Sequence, residues 1–197
     1  MGTRSVSDYP GPTLGGPLPL ELANTRYLAH NRPHDGLESV DLLTAWLGQL
    51  RPRLRIPLTD EHLLAIDEPH LTNARDLRDC IHHLADAGHS QPSTAAVNRL
   101  NRHVRANPLW TELHWDAENP TTQLRFKGDP ITAALCEIAT STVELFSGPH
   151  AAAIRSCASP NCILYFVKDH ARREWCSTTC GNRVRVARNY ERRRQQT

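Results

Sequence analysis

The sequence predicts an α+β protein: a mostly helical N-terminal domain with a β-hairpin or small sheet, followed by a small module organised by cysteines. Three observations predict it. Apolar residues recur at helical spacing in five segments that have capping residues at their ends. Two alternating segments flank the turn 116–120. Four of the six cysteines crowd into the last 41 residues.

Residues 1–19 hold four of the ten glycines and four of the 14 prolines, which predicts a flexible N-terminal tail. Leu18, Leu20 and Leu22 alternate with other residues, as in a short strand. Asn24 and Thr25, with His30 and His34 around a polar turn, make a candidate pocket for a small-molecule effector, against the plainer reading of the histidines as surface residues. Leu43, Trp46, Leu47 and Leu50 give 40–50 helical spacing. Thr59 caps a helix to about Ile66, and Pro69 opens one to Ala87 with Gly88 as its stop. Ser93 caps a helix to Arg105 with Ala96, Val97, Leu100 and Val104 inward. The segments 109–115 and 123–127 form a hairpin, with Trp110, Trp115 and Phe126 packing. Asp129 and Pro130 start a helix to Phe146, whose inner face is Ile131, Leu135, Ile138, Thr142 and Leu145. Cys80 and Cys136 lie inside apolar faces and read as core residues.

The charge is uneven. The chain has 23 basic and 21 acidic residues, yet residues 155–197 hold ten Lys/Arg against three Asp/Glu. The basic excess is therefore local and calls for a polyanionic partner. No apolar run reaches membrane-spanning length and no secretory leader is visible, so the expected location is the cytoplasm. No nucleotide-binding or hydrolase motif occurs, and the chain is not expected to be an enzyme.

Cys157 and Cys162 are spaced C-x4-C, and Cys176 and Cys180 C-x3-C, with 13 residues between the pairs. In a reducing compartment such pairs bind metal, and four thiolates fill the Zn²⁺ tetrahedron and leave no position for a reacting water. The expected cofactor is one structural Zn²⁺, worth about 10–16 kcal/mol of folding free energy. Ser159, Pro160 and Asn161 turn the first pair. The strand-forming run 163–167 turns at 168–171 into Arg173–Cys176 to give a hairpin, and Ser177 caps a helix to about Arg194. A knuckle, a hairpin and a helix carrying the second ligand pair describe a treble-clef-like finger. His170 is a weaker ligand candidate. At about 100° per residue, Cys180, Val184, Ala187 and Tyr190 share one face and Arg185, Arg188 and Arg192 the opposite one. Arg183 lies beside the ligand face, where it could pair with thiolates or with a partner. Arg172, Arg173, Arg193 and Arg194 complete the candidate nucleic-acid contacts.

Residues Cys176 to Arg183, ending in Cys180-Gly181-Asn182-Arg183, resemble the CGNR zinc-finger family. The likeness extends from Ile154 through Cys162, the aromatic strand and Arg172–Cys176 to the basic tail. Upstream, Leu20 to Thr25 resembles the opening of the ABATE domain, which usually precedes this finger and is described as regulating transcription under stress. The resemblance implies a bacterial DNA-binding regulator, with an ABATE-like domain at 20–150, for dimerisation or ligand sensing, and the finger at 151–197. The expected partner is DNA, bound by a homodimer. The alternatives are RNA or an acidic protein surface, including the chain's own net-negative N-terminal region.

Overall fold

The computed structural model describes residues 9–87, 90–116 and 119–194. The expected stop at Gly88 lies outside them. Helix α1 (Leu18–Ala23) has Pro17 at its N-cap and Pro19 in its first turn. The alternation there does not mark a strand: every residue from Pro19 to Ala23 is buried, so the apolar spacing follows no single face. Strands β1 (Arg26–Ala29) and β2 (Arg32–Asp35) pair antiparallel, Arg26 opposite Asp35. Their two-residue turn puts His30 and Asn31 at φ 52° and 62°, as hairpin turns that match strand twist require.

Helix α2 (Val40–Leu50) is capped by Ser39, and α3 (Asp60–Leu64) by a reciprocal Thr59–His62 box. Helices α4 (Glu68–Ala87), α5 (Thr94–Arg105, capped by Ser93) and α6 (Pro130–Ser147, capped by Asp129) complete the bundle. Leu43, Trp46, Leu47 and Leu50 of α2 meet Leu71, Ala74, Leu77, Ile81 and Leu84 of α4, Leu100 of α5 and Ile131, Leu135, Ile138 and Leu145 of α6 in one core. Thr142 belongs to the same face because its hydroxyl donates to the Ile138 carbonyl (2.8 Å). Val97 instead sits at the exposed edge of α5.

Buried charges fix what the helices leave loose. Glu21 accepts from the backbone N–H groups of Leu14 (2.9 Å) and Gly16 (2.7 Å) and pairs with Arg53 (3.1 Å). Tyr27 Oη donates to the Tyr9 carbonyl (2.9 Å). The described part of the N-terminal segment, residues 9–17, is therefore strapped to the body and is not a free tail. Gly36 is required where this strap crosses, since a Cβ there would lie 1.9 Å from the Pro10 carbonyl oxygen. Arg78, 1% exposed, holds Asp35 through both guanidinium Nη atoms and reaches the Thr25 hydroxyl (3.2 Å). Burial raises the Asp35 pKa, but the Arg78 bonds outweigh it and hold the carboxyl below the usual carboxylate range. The stability from this pair is therefore present at neutral pH and lost as pH falls through that depressed value.

Strands β3 (Leu109–Trp115) and β4 (Pro120–Phe126) form the expected hairpin, with pairing that begins at Pro120, three residues before the expected Gln123. Leu109, Leu124 and Phe126 lean on the core, but Trp110 is 44% and Trp115 74% exposed. Burial is confined to the base of this two-stranded ribbon, so the two tryptophans do not pack as expected.

In the C-terminal module β5 (Ile154–Ser156) pairs with β6 (Tyr165–Val167), and α7 (Thr178–Arg194) follows. Arg173–Cys176 is not the partner strand: residues 169–173 use local turns, and β6 takes its partner from the segment before the first cysteine. The free edge of β6 is closed by a side chain. Asn24 Nδ2 donates to the Tyr165 carbonyl (3.0 Å) and Asn24 Oδ1 accepts from Tyr165 N–H (2.8 Å), as a neighbouring strand would. Tyr165 Oη donates to Asp86, and its ring meets His82 edge-on (5.3 Å). Burial, then Asp86, pushes the Tyr165 phenol up. Ile154 and Tyr165 belong to the main core. Asn24→Ala leaves a buried N–H and C=O unpaired and is expected to destabilise the zinc-loaded protein by about 2–4 kcal/mol. Urea unfolding checks this, and a change within error would show that the bridge contributes nothing.

Candidate metal centre

Each ligand is placed by a local backbone device. Cys157 follows β5, and its N–H donates to the Leu164 carbonyl (2.8 Å) across a tight knuckle. Within that knuckle Asn161 adopts φ 59°, a left-handed conformation asparagine tolerates. Cys176 N–H donates to Cys157 Sγ (3.3 Å), and Ser177 Oγ accepts from Cys180 N–H (3.3 Å), capping α7. The four sulfurs lie within 4.8 Å of one another. Two of the separations are 3.7 Å, for Cys162 to Cys176, and 3.6 Å, for Cys176 to Cys180. Zn–S bonds of about 2.3 Å in a tetrahedron require sulfur–sulfur edges of about 3.8 Å. The geometry fits one structural zinc.

The electrostatics fit as well. Cys162 is drawn down to about 5, chiefly by its hydrogen bond with Cys176, against its burial. The same bond, with burial, drives Cys176 upward, while burial raises Cys157. Four thiols this close cannot all ionise without a cation, and a bound zinc supplies it. Cys157, Cys176 and Cys180 also form a second core with Tyr27, Leu164 and Phe166, flanked by Leu14 and Trp175.

Each residue of the Cys180–Arg183 tetrapeptide has a separate task. Cys180 is a ligand. Gly181 lies against Trp175, where a Cβ would be 3.2 Å from the ring. Asn182 accepts from Arg185. Arg183 Nη1 reaches the carbonyls of Pro160 (3.3 Å) and Asn161 (3.4 Å), so it braces the knuckle and pairs with no thiolate.

The predicted arginines separate into two sets. Arg173 is held by Asp169 (2.9 Å), by the carbonyls of Trp175 and Cys176, and over the Phe166 ring (4.9 Å). Arg173 is half-buried in the finger's frame, and Arg183, although exposed, is tied to the knuckle. His170 accepts from Arg172 N–H and is no ligand. Every residue from Arg185 to Arg194 is exposed. Arg188, Arg192 and Arg194 have no partner among the described residues. Ala187 and Tyr190 do not pack beside the metal as their angular position predicts, because α7 leaves the body after Val184; Tyr190 is 65% exposed. The arginine half of α7 does not lie on the N-terminal domain.

The candidate effector residues are not brought together. Asn24 and Thr25 are buried and committed to Tyr165, Leu22 and Arg78. His30 sits exposed at a turn tip, and His34 stacks on Tyr27 (5.4 Å). Asp76, Cys80 and His103 also cluster. Burial raises Asp76, but bonds from Arg99 and His103 hold it low, and burial raises the Cys80 thiol. Arg99 already neutralises that carboxylate, which leaves little for a cation.

A four-cysteine finger fused to a helical α+β domain defines a structural-zinc protein without an open coordination position. Residues 16–149 match the ABATE family, described as "Putative stress-induced transcription regulator", and residues 153–193 match the CGNR zinc finger. The chain belongs to the ABATE family and carries a CGNR zinc finger. No curated protein matches it. No helix among the described residues is long and apolar enough to cross a membrane. Purified protein is expected to hold one zinc per chain and Cys176→Ser none, by elemental mass spectrometry. Equal metal in both would remove Cys176 from the ligand set.

Proposed function

We propose that the protein is a transcription regulator that binds DNA through the outer half of α7. The observation that carries this reading is the ten-residue exposed stretch Arg185–Arg194, in which Arg185, Arg188 and Arg192 follow one face. Arginine is suited to this task because its planar fork binds phosphate oxygens and guanine edges bidentately. The zinc does no chemistry here; it holds the first turn of α7 against the knuckle while the charged turns stay clear. One finger of this size covers too little DNA for tight specific binding, so two copies act together as a homodimer.

Fluorescence anisotropy with duplex DNA at several salt concentrations tests the reading. If about four phosphates are neutralised, log K falls against log salt with a slope of about −3.6. Changing Arg185, Arg188 and Arg192 together to Ala flattens that slope by about 3, with zinc content and circular dichroism unchanged. Salt-insensitive binding, or a triple variant that binds like the parent, would refute it. Stronger binding to duplex RNA or to an acidic protein would assign the helix to that partner instead.

A further inference from the structure

Between the C-terminal end of α5, the base of the β3–β4 hairpin and α6 lies a cavity of about 670 Å³. That size falls within the roughly 300–1,000 Å³ range of small-molecule sites. It shares no lining residue with the cleft beside the zinc cysteines. Its α6 wall is not the apolar face but the stripe Glu137, Thr140, Ser141 and Glu144, spaced as one side of a helix.

Glu137 is consumed by the fold. Buried, it accepts from the backbone N–H groups of Arg55 (2.9 Å) and Ile56 (3.0 Å), which fixes the root of the Arg55 side chain at the rim. Arg105, the last residue of α5, lines the same cavity. Neither guanidinium has a partner among the described residues, whereas Arg53, Arg75, Arg78, Arg99, Arg125 and Arg173 all do. Trp110 offers a half-exposed ring whose Nε1 donates to Glu112 (3.0 Å), and Leu109 and Leu124 extend the apolar wall.

We propose that this cavity binds a small organic monocarboxylate with a flat apolar body. The carboxylate is held by Arg55 and Arg105, and the body lies against Trp110. Paired guanidiniums recognise a carboxylate through charge-assisted, bidentate bonds. Inorganic phosphate would leave the indole and leucine wall unused. Glu144 stands seven residues beyond Glu137, about 10 Å along α6, and is exposed with no partner among the described residues. Its charge disfavours a second anionic group on the ligand. The site does not depend on what α7 binds.

Calorimetry on the full, zinc-loaded chain tests this with 3-phenylpropionate, its neutral amide and terephthalate as probes. The expected result is saturable binding of the monocarboxylate, with the amide and the dicarboxylate weaker by at least about tenfold. Arg55→Gln/Arg105→Gln, at exposed positions, reduces monocarboxylate binding by about tenfold or more at unchanged zinc content and thermal midpoint. Trp110→Phe retains binding but loses the accompanying change in tryptophan fluorescence. The proposal is overturned by no binding of the monocarboxylate up to about 10 mM, by equal binding of acid and amide, or by undiminished binding in the double variant.

Discussion

Four sulfurs drawn within 4.8 Å of one another are the constraint on which the C-terminal module depends. Two unit charges about 4 Å apart repel by about 4 kcal/mol at an effective dielectric of ~20, and four thiolates make six such pairs. The Cys176 N–H on Cys157 and the capped start of α7 relieve only part of this. A dication removes the repulsion, and the knuckle, β6 and the first turn of α7 then acquire fixed positions relative to one another.

That local order is carried into the rest of the molecule by β6. Asn24 supplies the strand edge that β6 lacks, while the aromatic rings of β6 point to both cores, Tyr165 to the helical bundle and Phe166 to the metal. Tyr27 and Leu14, from the hairpin and the N-terminal strap, complete the apolar wall around the cysteines. The finger is thus built against the bundle, and the two family matches describe segments that share packing.

What sequence reasoning recovered follows physical periodicity. The caps at Thr59, Ser93 and Asp129, the inner face of α6 and the two cysteine pairs are local signals, and each lies where its chemistry requires. The failures are long-range. Nothing near Asn24 tells that a residue 141 positions later needs its amide, so a buried bridge looked like a ligand contact. Glycine at 36 was the only local sign that Pro10 crosses there. The polar turn between His30 and His34 is legible, but the β1–β2 pairing around it is not, because His30-Asn31 carries no glycine, although both residue types tolerate positive φ. Composition cannot distinguish a guanidinium that reaches carbonyls, as those of Arg173 and Arg183 do, from one that faces only water. The polar stripe Glu137, Thr140, Ser141 and Glu144 on α6 has no meaning until the hairpin is placed beside it.

The outer half of α7 has a consequence for how the helix forms. The ten residues 185–194 are exposed, and helices shorter than about 12–15 residues are marginal alone in water because the first turn is costly to nucleate. The turn capped by Ser177 and closed by Cys180 is that nucleus, already made. Beyond it each residue adds one hydrogen bond without repeating the initiation cost, so a metal ion bound at the helix's beginning sets how rigidly its far end is displayed.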